Sequence, residues 1–303
     1  MPVYIITCPI CRKQYKLTPK DPSTLAQKTF SCPNCRYTTP FPTLIKEYNK
    51  HAWVSALKEN YSLLNQSFKK MMADDGVEFI EDTEVWSSIE EWKPWEQGCD
   101  FRSNISSGKC KDFFMQLNKY FKIIQIARGN DDMTVTNGSG TFNIKAYKFK
   151  YRNSHDINRY DNNLIYLSNG AMIFNYIFMR KGSRRSYSGS YCDAIHAAGG
   201  HMCDYAGYFN IDVNGNRGPN EFGKDIFRFY ITERGQLAPF GGNDYAIYSA
   251  ISNLTQENID KYKANDNYGG YCDNTSRYSL NGIPSGYSCT GLLIDQLNWK
   301  MDY

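Results

Sequence analysis

No run of about 18 apolar residues occurs in the 303-residue chain, so no membrane-spanning helix is encoded. The opening segment, MPVYIITCPICRKQ, has no basic stretch followed by an apolar core, and no signal peptide is expected from it. Histidine is scarce, at positions 51, 155, 196 and 201. His51 falls in a helical pattern and reads as a surface or interface residue, and His155-Asp156 falls in a polar loop. The sequence contains no Gly-x-Ser-x-Gly elbow, no phosphate-cradling glycine loop and no His-Glu-x-x-His pair, so the chain reads as non-enzymatic. Excess charge is also lacking. The net +4 conceals a head, residues 1–50, with eight Lys/Arg and two acids, and a near-neutral body. Nucleic acid is conceivable as a partner of the basic head and has no electrostatic basis in the body. A chain 41% hydrophobic and 22% charged is globular rather than disordered, with room for about two domains.

The ten cysteines form two groups. Cys8, Cys11, Cys32 and Cys35 make two Cys-Pro-x-Cys knuckles separated by 20 residues. Each knuckle turns two thiolates toward one point, and two knuckles complete a closed tetrahedral S4 site. Thiolate sulfur favours Zn²⁺, with Fe as the weaker option and a pair of redox dithiols as the competing reading. A head of this size buries little core, so the metal supplies much of its stability. The other six cysteines come in sequential pairs, Cys99–Cys110, Cys192–Cys203 and Cys272–Cys289, which read as three local disulfides. His196 and His201 lie between Cys192 and Cys203, so a second zinc site competes with the disulfide there. The two cysteine groups point to opposite locations. Disulfides indicate an extracellular or cell-surface setting, and the ribbon and absent signal peptide indicate the cytoplasm.

The expected organisation is a zinc ribbon at 1–40 followed by an α+β domain at 41–303. Pro40 and Pro42 mark the junction. Trp53, Leu57, Tyr61, Leu64, Phe68 and Met71 or Met72 recur at spacings of three and four, predicting a helix over 42–73 that Asp74-Asp75-Gly76 ends. Residues 74–100 hold ten acids, one lysine and three tryptophans, and read as a solvated segment pinned by Trp86, Trp92 and Trp95. Phe113, Phe114, Leu117, Tyr120, Phe121 and Ile124 predict a second, short helix. A sheet follows over about 142–240. After a candidate strand at Phe142–Tyr151, its four strands in order are Leu164–Leu167, Ala171–Met179, Tyr205–Val213 and Ile226–Thr232, with a hairpin turn at Ser168-Asn169-Gly170. The expected core is a long helix packed on a four-stranded antiparallel sheet.

Four segments, in order, carry a resemblance. They are Pro42-Thr-Leu-Ile-Lys-Glu-Tyr-Asn-Lys-His-Ala-Trp53 with its continuation to Tyr61, Tyr166-Leu-Ser-Asn-Gly-Ala-Met-Ile173, Asp212-Val-Asn-Gly-Asn-Arg-Gly-Pro-Asn220 through Asp225, and Gly286-Tyr-Ser-Cys289-Thr-Gly with Asn298–Tyr303. Together they resemble the globular part of a type IV pilin or type II secretion pseudopilin over about residues 41–303. The resemblance implies a pilin-like fold with a disulfide-closed region at 241–303, and a structural or adhesion role beside other pilin-like subunits. Pilins begin with a basic leader and an apolar helix, whereas here the zinc ribbon occupies that place.

Asp212, Asn214 and Asn216 alternate oxygen side chains, and Asn220 and Asp225 could close a calcium shell. An EF-hand is excluded, because it needs Gly where Arg217 stands and Glu where Gly223 stands. The resemblance favours another type of calcium loop, and the competing reading is an Asn-Gly turn bonding its own backbone. Loops rich in Tyr, Asn, Ser and Gly at Ser183–Tyr191, Asn243–Tyr248 and Asp266–Tyr278 suit contact with a surface ligand. Three functional readings result, the last of them an enzyme hidden in the His196/His201 segment. The first is a non-enzymatic pilin-like module with a structural zinc head. The second is an intracellular zinc-ribbon adaptor that binds nucleic acid or protein and uses the body for display.

Overall fold

A computed structural model describes residues 4–8, 10–11, 13–17, 29–89, 108–128, 133–137, 140–144, 147–151, 158–159, 163–178, 205–240, 272, 286 and 289–301. The chain divides into two compact units, Met1–Ser55 and Ala56–Tyr303. Among the described residues no helix is long and apolar enough to cross a membrane.

The first unit is built from two hairpins. Strand β1 (Tyr4–Thr7) pairs antiparallel with β2 (Gln14–Leu17), and β3 (Thr29–Ser31) pairs with β4 (Thr38–Pro40). Each first strand runs directly into the first cysteine of a knuckle, Cys8 or Cys32. The Cys8 N–H donates to the Lys13 carbonyl at 2.9 Å, and the Cys32 N–H donates to the Tyr37 carbonyl at 2.8 Å. The two hairpins therefore close their knuckles with the same five-residue bond.

Helix α1 (Phe41–Asp75) follows β4, with Pro42 in its first turn, where a missing N–H costs little. The division between the units falls inside this helix. Lys46, Glu47 and Tyr48 are exposed, whereas Leu57, Leu64, Phe68 and Met71 are fully buried. Trp53 and Tyr61 are half-buried. Gly76, at φ +65°, ends the helix, and the Val77 N–H reaches back to the Met72 carbonyl at 3.0 Å. That bond with a left-handed glycine is a Schellman cap.

In the second unit, α2 (Glu84–Ser87) is capped by Thr83, whose side chain accepts the Trp86 N–H at 3.2 Å. Trp86 is buried edge-on against Phe68, Phe113 and Phe178. In this segment, expected to be solvated and pinned by its tryptophans, Ile80, Val85 and Ile89 are buried beside Trp86. Trp92 and Trp95 lie outside the described residues. Helix α3 (Gly108–Phe121) ends at Lys122, which takes φ +50°, so Ile124 belongs to strand β5 (Ile123–Arg128) and not to the expected helix.

Two-stranded pairs come next, β6 (Met133–Asn137) with β7 (Gly140–Ile144) and β8 (Lys148–Phe149) with β9 (Asn158–Arg159). Phe142–Tyr151 is therefore not one strand. It contributes to two separate pairs.

The main sheet adds β10 (Asn163–Leu167), β11 (Met172–Phe178), β12 (Tyr205–Asp212), β13 (Ile226–Thr232) and β14 (Leu237–Pro239). Its order is β14-β13-β12-β11-β10-β5, antiparallel throughout, so the molecule is α+β. Six strands replace the four expected, because β5 joins one edge and β14 the other. Ser168–Gly170 turns the β10–β11 hairpin, and Glu233–Gly235 turns the chain into β14. Gly235 has φ +64°, a left-handed turn conformation that favours glycine, and it passes close to Met72 and Phe68 of α1.

Both faces of the sheet are buried, which explains why its strands read as short apolar runs. One face carries Leu164, Tyr166, Met172, Phe174 and Tyr230 in a cluster with Tyr147, Phe222 and Phe240. On the other side of the strands, Phe229 meets Tyr61 of α1 with ring centroids 5.7 Å apart. The Tyr61 hydroxyl donates to the Leu237 carbonyl at 3.2 Å, and Asn65 Oδ1 accepts the Leu237 N–H at 2.8 Å. The short helix α4 (Cys289–Gly291) widens into a π-helical turn, Leu292–Gln296. Thr290 Oγ1 accepts the Arg228 N–H at 2.9 Å, and Trp299 packs edge-on to Tyr61.

Candidate metal centre

The knuckles bring Cys8, Cys11, Cys32 and Cys35 together, with all four Sγ atoms within 4.8 Å of one another. Among the described residues no other group of three or more His, Cys, Asp or Glu converges in this way. The closest sulfur pairs run between the hairpins, Cys8–Cys35 and Cys11–Cys32, each at 3.5 Å. A tetrahedron of thiolates at about 2.3 Å from a metal has edges of about 3.8 Å, so the observed spacing fits one ion. Cys8 and Cys32 are buried, while Cys11 and Cys35 are half-buried. All four are free of disulfides.

The sulfurs differ in basicity. Burial pushes the Cys32 thiol up, but the Tyr15 hydroxyl and the backbone N–H groups of Cys35 and Asn34 outweigh it and bring it down to about 6. The Cys11 thiol is lowered, chiefly by the Lys13 backbone N–H. The Tyr37 N–H also favours the Cys35 thiolate, yet burial and the three neighbouring sulfurs push that thiol up to about 12. Four like charges at this spacing cannot coexist without a cation. A divalent metal removes that restriction and displaces the remaining protons. The donor set fits a structural metal bound through sulfur, and it leaves no position for substrate.

Tyr15 is the residue that sequence reading overlooked. It lies on β2, four residues after Cys11, with its hydroxyl 3.1 Å from Cys32 Sγ and its ring 5.7 Å from Phe30. An aromatic on the strand leaving one knuckle is the available signal. That it serves the other knuckle depends on how the hairpins meet.

The second candidate, Asp212 to Asp225, lies between β12 and β13. Asp212 is fully buried and accepts the Tyr147 hydroxyl at 3.0 Å and the Asn214 N–H at 3.2 Å. The Asp225 carboxylate accepts the N–H groups of Asn220 at 2.9 Å and Glu221 at 2.8 Å. Asn220 Oδ1 takes the Gly218 N–H at 2.8 Å, while its amide donates to the Lys148 carbonyl and to Asn216 Oδ1. The five residues are thus brought together, and most of their contacts are to the turn's own backbone. Asn214 Oδ1 is buried without a hydrogen-bond partner. Burial, and then the nearby Asp225 charge, hold the Asp212 carboxyl well above the usual range. Burial also lifts Asp225, to about 6, against the backbone bonds that favour its charge.

Cys272 and Cys289 form a disulfide. The expected Cys99–Cys110 and Cys192–Cys203 pairs, with His196 and His201, lie outside the described side chains, as do His155 and the three Tyr-rich loops. His51 is exposed on α1.

No protein-family model, no curated protein and no solved structure matches the chain.

Proposed function

We propose that the chain is a non-enzymatic, pilin-like or pseudopilin-like structural or adhesion module, headed by a ribbon that holds one structural Zn²⁺. The observation that carries this reading is the course of α1. Over 35 residues it passes from an exposed first stretch to the buried Leu57, Leu64, Phe68 and Met71, and an antiparallel meander follows it in sequence. The Cys272–Cys289 bond beside the C-terminal turn supports the same reading. Zinc is favoured over iron by the closed thiolate set. A weak calcium site at Asp212, Asn214, Asn216, Asn220 and Asp225 belongs to this proposal, supported by the two buried carboxylates and the unpartnered Asn214 oxygen.

In a pilin-like fibre the first turns of this helix meet neighbouring subunits. Here they carry Lys46, Glu47 and Lys50, so the purified chain is expected to be monomeric by light scattering. Ordered filaments in electron micrographs would transfer the assembly role to the ribbon and end the view of it as a separate head.

The adaptor reading is favoured by one observation. The ribbon needs reduced sulfur and exposes Lys13, Lys16 and Arg36, which suit an acidic or nucleic-acid partner. Thiol counting on protein freshly isolated from its source separates the two. Three disulfides among the six body cysteines support the exported module, and six free thiols support the adaptor.

A further inference from the structure

The two halves of the sulfur cluster are built differently. Cys8 and Cys32 are buried against Phe30, and they follow directly from strands β1 and β3. Cys11 and Cys35, the second cysteine of each knuckle, stand at the half-exposed side. Among the described residues the side-chain hydroxyl bonded most closely to the cluster is that of Tyr15, which reaches the buried half and also lies beside Cys11. Tyr15 OH lies 3.1 Å from Cys32 Sγ. A metal-bound thiolate carries no proton, so in the loaded site the phenol must donate. Tyr15 is held for this task. It pairs with Ile6 across the first hairpin, and its ring leans on Phe30 of the second at an interplanar angle of 56°. A Lys13 Nζ to Asn34 Oδ1 bond of 2.8 Å ties the hairpins at the opposite, exposed margin, but it touches no sulfur.

Resting on the metal-site reading above, we propose that Tyr15 is an outer-sphere positioning residue. Its bond to Cys32, together with the burial of Cys8, makes these two the retained half of the site, and Cys11 and Cys35 the half through which metal is exchanged. The reason is chemical. A hydrogen bond occupies a sulfur lone pair that would otherwise attack an electrophile or take up a proton, and it fixes the direction of the remaining lone pairs toward the ion. Water and a competing chelator meet Cys11 and Cys35 first because those sulfurs are the accessible ones. Metal then leaves by opening at this edge, while the Cys8–Cys32 half keeps its place on the strands.

The test uses the full chain loaded with Zn²⁺, and with Co²⁺ for spectroscopy. Metal content is measured first. Iodoacetamide labelling followed by peptide mass spectrometry should then modify Cys11 and Cys35 before Cys8 and Cys32. Tyr15→Phe keeps the ring on Phe30 and removes only the hydroxyl. It should bring Cys32 forward in the labelling order, shift the sulfur-to-Co²⁺ charge-transfer band and speed zinc transfer to a chelator about 10-fold. Phe30→Leu, which loosens the packing but leaves the hydroxyl, should leave the band in place. A chain that binds no metal overturns the metal site and this inference together. One bound metal with the same labelling order and the same band in Tyr15→Phe overturns this inference alone. A band shift in Phe30→Leu equal to that in Tyr15→Phe assigns the effect to packing and overturns it as well.

Discussion

The ribbon and the body solve the same problem with different materials. In the ribbon the buried side chains cluster as Cys8, Phe30 and Cys32, with Cys11, Cys35, Tyr15 and Tyr37 around them. One phenylalanine and four sulfurs offset little of the entropy of ordering two hairpins, so on the metal reading proposed above the ion contributes most of the stability. The body relies on carbon. Trp86, Phe68, Phe113, Phe121, Phe174, Phe209, Phe227 and Phe229 are all essentially inaccessible to solvent, and the sheet is covered on both faces. On the proposed metal reading one chain holds a region stabilised by chelation and a region stabilised by burial, and each should fail under its own treatment.

The sharpest separation is expected from Cys32→Ser or from prolonged chelation. Either should abolish the ribbon's protected amides in hydrogen exchange, while the cooperative melt of the body persists. Loss of both transitions together would show that the two regions form one cooperative unit. Phe68→Ala should do the reverse, lowering the body's stability by about 3–5 kcal/mol in denaturant and leaving metal affinity within twofold. Its ring is fully buried and packs edge-on against both Trp86 and Phe121, so its removal leaves a cavity in the aromatic core. Reducing Cys272–Cys289, which closes a separation of 17 residues, should cost the body about 3 kcal/mol and leave a metal-loaded ribbon unchanged.

An effect of similar size is expected from the pH response of the body, set by Asp212 and Asp225. Both carboxyls are raised, so the folded state holds protons that the unfolded chain releases. Their contribution is fully present below about pH 4 and is lost as pH rises through the folded values, about 6 for Asp225. Without divalent cations the body should therefore lose up to about 3 kcal/mol between pH 4 and 7 from Asp225. Asp225→Asn should flatten that slope. Calcium at several millimolar should restore the loss at pH 7 and do little at pH 5. An unchanged melting temperature at both pH values would leave only the turn.

The two regions also differ in how well they could be read in advance. The metal knuckles are local, because each pair of cysteines sits three residues apart on one turn, and a turn is set by its own residues. The end of α1 is equally local, since Gly76 supplies the left-handed residue that the cap demands. The hairpin at Ser168–Gly170 and the turn at Glu233–Gly235 are written in the same short-range chemistry. The two edges of the sheet were not. Ile123–Arg128 continues the apolar spacing of α3, and only the positive φ at Lys122 and the pairing with β10 make it a strand. Leu237–Pro239 is three residues long and gains its register from β13 and from Asn65 of α1.

Residue types and spacing therefore determined the sulfur ligands, the core stripe of α1 and the α+β class, because thiolate geometry and helical periodicity act over a few residues. Partnership across long separations was decided by the packed chain. The Tyr15 hydroxyl reaches Cys32 because two hairpins meet. Asp212 is buried under Tyr147, a residue 65 positions away, because the sheet folds that segment onto it. No local pattern encodes either contact, since both depend on which surfaces remain to be covered after the strands have paired.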